Sequence, residues 1–452
     1  MTSIKTFKVK KTVFEFLTPN EKKILPFLIE AAKDVDKIFC LQENQVNNGA
    51  NFYPRDAIKK EIELAAKNDP RIFSPVTVVK RNKDRKLIAV DYHVEYRNLL
   101  LPISKNLMKA ANICQNTSLK NYLEILADSL IDGKYQKADI AWLAINDSNL
   151  DITIGPHERY LDKLFFIKKA YQSNVGIIDK DITHRAKSIR DILYSTIEKQ
   201  PNRISPPKIV DTRALYCLIQ AGFLGRALFV RQHLPCDANT TEKYGSRILG
   251  FLSVIDYKFN KLIYPIFNAV FEKSFRQRYS RKLLKIGNYY YVLLTAIAQQ
   301  LHRYHNSRDR LKDFFPIFDE ANSVVCGIQH SKHLVLKGVI NQKELEAVMI
   351  VQICWGFSEW ILHKKSNVRE DYLKGDALIF NFLIRVGALQ EKGGVSWPNF
   401  AKIFFEMENL STIFTRILQE GTYSEAQEFL SAYLSLDTFK IFGNKLDYIE
   451  PI

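Results

Sequence analysis

Cysteine is scarce: Cys40, Cys114, Cys217, Cys236, Cys326 and Cys354 are the only six in 452 residues. They are widely spaced, no two form a C-x-x-C pair, and most sit among apolar neighbours, the pattern of reduced core thiols in a reducing compartment. An apolar h-region is missing too. Met1-Thr2-Ser3-Ile4-Lys5 leads into alternating lysine and apolar positions, so export through the Sec route is not expected. No uninterrupted apolar run approaches the length that spans a bilayer, which argues against membrane insertion. A cytoplasmic location is the expectation, with delivery by a specialised route left open. Internal repeats and low-complexity tracts are absent, which excludes solenoid and propeller arrays. Nucleic acid is not favoured as a partner either, because the chain carries no zinc finger, no RNP-like aromatic segment and no helix-turn-helix signature.

What the chain does have is bulk and positive charge. At 46% hydrophobic it can bury the cores of two domains without metal or disulfide staples. Its 65 Lys and Arg against 49 Asp and Glu give a net charge of +16, which biases encounters toward anionic partners. Pro75 to Lys80 and Leu87 to Val90 flank the polar turn Arg81-Asn82-Lys83-Asp84 and predict a hairpin. Asp151-Ile152-Thr153-Ile154-Gly155-Pro156 reads as a strand ending in a turn, and Ile204-Ser205-Pro206-Pro207 as a linker. Beyond about residue 250 the pattern is almost wholly helical. Lys392-Gly393-Gly394 marks a loop there, and Ser424 with Gln427 a capping box opening the last clear helix.

Phe52-Tyr53-Pro54, the stretch Phe73 to Val90, Asp139-Ile140-Ala141-Trp142 and Thr153-Ile154-Gly155-Pro156-His157-Glu158 resemble, in combination, the dipeptidyl peptidase III family, peptidase family M49, in its bacterial form. So do His233-Leu234-Pro235, Asp319-Glu320-Ala321 and Gly387-Ala388-Leu389, and the resemblance runs in order over nearly the whole chain. It implies a predominantly helical α+β protein of two lobes with a wide cleft between them. A mixed lobe with a β-barrel-like core is expected at about 1–171 and 213–267. A helical lobe carrying the metal site is expected at about 172–212 and 268–452.

A zinc peptidase of this type needs two histidines at i and i+4 on one helix, a glutamate beside the first as general base, and a third ligand from elsewhere. Aligned on Thr295, the positions of the family's H-E-x-x-H are Ala298, Gln299, Gln300, Leu301 and His302. A methyl group replaces one ligand and an amide that cannot take a proton replaces the base. His302 and Glu320 remain as a vestigial pair, expected to be hydrogen-bonded to each other, so that His302→Ala should barely change stability. Val324, Tyr372 and Lys374 stand where the family has an acid, a histidine and an arginine. One missing ligand costs on the order of 3 kcal/mol of zinc affinity. A missing base costs about 10² to 10⁴ in rate. No bound metal or other cofactor is therefore expected.

The resemblance also points to a peptide site. Asp151 is the acid expected to receive a peptide's amino terminus, Glu158 is a further expected peptide-binding residue, and His233 and Cys236 occupy the two asparagine positions of the family's peptide-anchoring segment. Cys236 beside His233 has no visible orienting group and is not expected to act as a nucleophile. His330 and His333 are expected on a helix surface, with His305 one turn past the old site. Around the helix, Arg276, Arg278, Arg281 and Lys282 precede it and Arg303 and Arg308 follow, a patch that fits an acidic protein segment. The resulting expectation is a catalytically inactive relative that binds a peptide or protein. The alternative is an active zinc exopeptidase releasing N-terminal dipeptides through a rearranged metal site.

Overall fold

The first long helix, Pro19–Gln42, starts at a capping box: the Thr18 hydroxyl accepts from the Glu21 amide while the Glu21 carboxylate reaches back to the Thr18 amide. The same carboxylate, 4% exposed, accepts from the backbone and side-chain nitrogens of Asn149, tying the helix to the start of a strand. The apolar stripe Ile24, Leu28, Ala31, Val35 and Ile38 is fully buried against helix Arg97–Ile113 and the central sheet. In the computed structural model these elements belong to one of two units, and residues 2–44, 48–197, 209–364, 370–391 and 396–452 are described. The first unit comprises Met1–Thr183 and Lys208–Val254, the second His184–Pro207 and Ile255–Ile452.

The first unit is built on a mixed sheet. Its strands are β1 (Lys5–Thr6), β4 (Leu150–Glu158), β5 (Ala170–Ile178), β6 (Ile209–Gly222), β7 (Arg231–Leu234) and β8 (Ser246–Phe251). They lie in the order β4-β5-β6-β8-β7, with β1 added on β6; β6 and β8 run parallel and the other pairs antiparallel. The barrel-like core expected from the sequence is not there: among the described residues β4 and β7 do not pair, so the sheet stays open with two edges. The expected boundary positions 171 and 212 fall inside β5 and β6, which are hydrogen-bonded to each other. The predicted hairpin is present as β2 (Thr77–Arg81) and β3 (Leu87–Asp91).

The second unit is mainly helical, with Arg281–Leu301, Phe315–Leu336 and Gln342–His363 packed on one another and Glu370–Arg385 and Phe400–Gln419 beside them. Close approach needs glycine at two places. A Cβ on Gly287 would lie 2.7 Å from the Ala347 carbonyl carbon, and one on Gly327 3.0 Å from the Thr295 nitrogen. Gln342–His363 is long and apolar enough by composition to cross a membrane, but 89% of its apolar window is buried inside the unit, as in a core helix. The helical pattern is interrupted by the hairpin of β9 (Leu389–Glu391) and β10 (Ser396–Pro398). The capping box that opens Tyr423–Tyr433 is Thr422 with Glu425, two residues before the expected pair, because Thr422 is the residue left in extended geometry. Ile204 to Pro207 and Lys392 to Gly394 lie outside the described residues.

Candidate functional site

Ser280 caps helix Arg281–Leu301, whose side chains from Tyr291 to Ala298 are all buried. Near its end Ala298 is 0% exposed, so its methyl group fills the space facing the neighbouring helices. Gln299 follows, half-buried, and its Nε2 donates to Asp319 Oδ2 and to Glu320 Oε1, both at 3.3 Å. The helix stops at Leu301. His302 is its C-cap at φ −109°, ψ 50°, its N–H donating to the Ala298 carbonyl at 3.0 Å while its side chain departs from the helical face.

That departure re-aims the imidazole. His302 Nε2 lies 2.9 Å from His330 Nε2, and Nδ1 lies 3.0 Å from the Tyr304 hydroxyl and 3.7 Å from Cys326 Sγ. The two rings stack with centroids 5.2 Å apart. Gln299 thus reaches Glu320, and His302 turns its nitrogens to His330, Tyr304 and Cys326. His330 is 1% exposed, not on the surface, because Phe315–Leu336 packs between Arg281–Leu301, Glu370–Arg385 and Phe400–Gln419 among its neighbours; His333 is half-buried and His305 exposed. Val324 is buried, Tyr372 half-buried, and Lys374 forms an ion pair with Glu370 at 2.7 Å.

A zinc ion needs three or four N, O or S donors converging at about 2.0–2.3 Å. Ala298 supplies none, and the Gln299 amide presents its N–H groups to the carboxylates. Among the described residues no group of three or more His, Cys, Asp or Glu side chains is placed to hold a metal. The residues present do not fit the ion.

The peptide-site residues lie in the first unit. Asp151, expected to receive an amino terminus, is 0% exposed; its Oδ2 pairs with Arg213 Nη1 at 2.7 Å and its Oδ1 accepts from Trp142 Nε1 at 3.3 Å. Arg213 and Arg247 share Asp211, at 3.1 and 3.3 Å, and Arg247 also donates to the Trp142 and Leu143 carbonyls. Asp151 therefore belongs to an ion network inside the unit. Glu158 ends β4, half-buried, its Oε1 accepting from the Arg159 amide at 2.8 Å. His233 sits on the edge strand β7, paired in register with Ile248, and Leu234-Pro235 after it is a cis peptide. The Cys236 sulfur lies 3.5 Å from the His233 carbonyl oxygen, and desolvation first, then Glu158, pushes its thiol up to about 11, so it is not a thiolate at neutral pH.

A small pocket next to these residues was not anticipated. Tyr135, Asp139, Trp142, Thr153, His157 and Leu234 are among its walls. Desolvation first raises Asp139 to about 7, with Lys169 opposing and Asp237 adding to the rise. Desolvation and then Lys169 lower His157 to about 3, so its imidazole is neutral at physiological pH. Both residues stand in motifs the sequence displays, but only burial reveals their titration.

The basic patch is partly engaged. Arg276 donates to Asn268 Oδ1 at 3.2 Å, Arg278 lies over Phe275 and Tyr279, and Arg281 lies 4.6 Å over Tyr264 while donating to Asn260. Lys282 is exposed, Arg303 half-buried, and Arg308 stacks 4.7 Å over Phe315. Stacking orients these guanidinium groups without neutralising them.

No family model matches the chain. Among curated proteins it is 24% identical over 428 residues to Nudix hydrolase 3 of Arabidopsis thaliana, covering 86% of this chain but 54% of that protein, so it spans about half the relative's length. Among solved structures it resembles dipeptidyl peptidase III of Caldithrix abyssi, with a TM-score of 0.85 and 23% identity, over 99% of this chain and 96% of that one. The enzyme of the same name from Corallococcus sp. strain EGB gives a TM-score of 0.84 at 20% identity, over 99% and 94%. The fold is therefore that of dipeptidyl peptidase III over essentially the full chain.

Proposed function

We propose that this chain binds a peptide or protein segment on a dipeptidyl peptidase III scaffold and does not perform zinc-dependent peptide hydrolysis. One observation carries the reading: the Gln299 amide bridges Asp319 and Glu320 at 3.3 Å each, putting neutral N–H donors beside the carboxylates where a hydrolytic site needs a cation and a base. Ala298 beside it offers no ligand. Binding can outlive this loss, because an extended peptide added to a sheet edge is held by backbone hydrogen bonds, and β7, which carries His233, is such an edge. The stacked cations Arg278, Arg281 and Arg308, with Arg276, Lys282 and Arg303, support an acidic segment as the partner.

A second reading has one observation in its favour. His302 and His330 bring two Nε2 atoms within 2.9 Å, which supplies half the ligand set of a rearranged zinc exopeptidase site. One experiment separates the two. Protein purified without chelator is analysed for metal and assayed for dipeptide release, and binding of a peptide library is measured alongside. Saturable peptide binding with substoichiometric zinc and no chelator-sensitive release supports the binder. Stoichiometric zinc with chelator-sensitive release overturns it in favour of the exopeptidase.

A further inference from the structure

The hairpin of β4 and β5 separates beyond the pair Glu158–Ala170. The next residue on each strand is a cation: Arg159 follows Glu158 and Lys169 precedes Ala170, so the register sets the two at the mouth of one hairpin. Lys169 is only 9% exposed and Arg159 is half-buried. Neither side chain makes an ion pair or hydrogen bond among the described residues, and Arg159 Nε is buried with no partner. Placing two partly desolvated cations together is costly unless anionic groups, from the chain or from a ligand, complete the arrangement.

The surrounding carboxylates offset these charges at a distance, Asp237 being held below its ordinary value, against desolvation, by Thr240 and in part by Lys169 and Arg159, but none forms an ion pair with either side chain among the described residues. Asp237 accepts from the Thr240 amide and hydroxyl at 2.8 and 2.7 Å, and Glu158 accepts from the Arg159 amide. Asp139, raised to about 7, carries about half its charge at neutral pH. The register shift between Pro156 and Glu158 makes His157 a bulged residue, and its imidazole folds over Gly155, where a Cβ would meet Nε2 at 3.0 Å. Bulges re-aim side chains beside binding sites. Here the bulge turns His157 into the pocket it shares with Leu234 of β7, and both cations act electrostatically on Cys236, two residues past the edge strand assigned above to a peptide.

We propose that Arg159 and Lys169 form a carboxylate-binding subsite that selects peptides bearing an acidic side chain, with His157 as a hydrogen-bonding wall. This rests on the peptide-binding reading of the first unit. Guanidinium and ammonium groups differ in how they meet a carboxylate, the first by paired N–H donors and the second as a point charge, and together they distinguish a carboxylate from its amide isostere.

The test is fluorescence anisotropy on the full chain with matched peptides carrying Glu, Gln or Lys at one position. The expected result is at least about tenfold tighter binding of the Glu peptide than the Gln peptide, a preference of the size a charge-assisted pair gives. It should vanish in Lys169→Gln and turn toward the Lys peptide in Lys169→Glu. Arg159→Gln, at a half-exposed position, gives a second reading should a change at Lys169 unfold the unit, and a thermal melt identifies that case. Equal binding of Glu and Gln peptides by the wild-type chain, or an intact preference in folded Lys169→Gln or Arg159→Gln, overturns the subsite and leaves peptide binding standing. Binding of no peptide of any charge overturns both.

Discussion

Gln299→Glu isolates the role of the bridging amide. The substitution keeps the side-chain volume, deletes two 3.3 Å hydrogen bonds and sets a third carboxylate against Asp319 and Glu320, the latter 4% exposed. Two weak bonds of this kind are worth about 1–2 kcal/mol together. Like charges about 4 Å apart repel by roughly 4 kcal/mol at an effective dielectric constant of 20, and rotation of a half-buried side chain relieves much of it. The net expectation is a loss of about 2–4 kcal/mol, or roughly 5–10 °C in melting temperature for a unit of this size. Adding Ala298→His restores a nitrogen ligand at a position that is 0% exposed, which costs a further 1–3 kcal/mol or so from overpacking. The double variant must therefore be read as a difference with and without metal. Zinc at a hundredfold excess over its dissociation constant should return about 2.7 kcal/mol to the double variant and nothing to the wild type. The assay is differential scanning calorimetry. A Gln299→Glu protein that melts with the wild type would refute the claim that the amide neutralises this acidic pair, and a double variant indifferent to zinc would show that the backbone no longer presents a peptidase site.

Three other outcomes are expected. Arg213→Ala strands Asp151, 0% exposed, without its 2.7 Å partner and should cost about 3–5 kcal/mol in urea unfolding; a loss under about 1 kcal/mol would show the ion network to be dispensable. Asp139→Asn tests a pH dependence. The folded carboxyl titrates near 7 against an ordinary 3.8, so the folded state holds the proton more tightly, and the desolvation penalty is absent below about pH 4, grows through the interval and is complete above about pH 7. The amide should match the wild type at pH 4 and be about 1–2 kcal/mol more stable at pH 8, after allowing for solvent contact at a half-buried group; a pH-independent difference would contradict the assignment. His302→Ala removes the partner of buried His330 and the bond to Tyr304, and should cost about 1–3 kcal/mol, not the near-zero change a surface-lining vestige would give. Equal unfolding midpoints would restore the simpler view.

The sequence exposed residue types well and orientations poorly. Replacement of ligand and base by Ala298 and Gln299 is visible in the letters, and the hairpin of β2 and β3 follows from two β-rich runs around a polar turn. The direction of His302 was hidden because helical spacing holds only while the helix continues, and it ends one residue earlier. His330 looked like a surface residue because Gln329, Lys332 and His333 around it are polar, yet it faces inward while Lys332 and His333 are half-buried. Asp151 needed Arg213, 62 residues away, to become a structural ion. Openness of the sheet depends on which strands fail to pair, a nonlocal fact that no local pattern records. The titration of Asp139 likewise depends on desolvation that composition does not carry.

Each unit is assembled from separated stretches, and the polypeptide passes between them at 183/184, 207/208 and 254/255. No single cut can release either unit whole, so limited digestion should yield nicked but associated fragments more readily than an isolated lobe. Expressing the sheet-containing unit alone would require splicing residue 183 to 208 and stopping at 254. A ribosome, too, must deliver residues as far as Val254 before that unit has all its strands, so it is completed only after part of the other unit has already emerged.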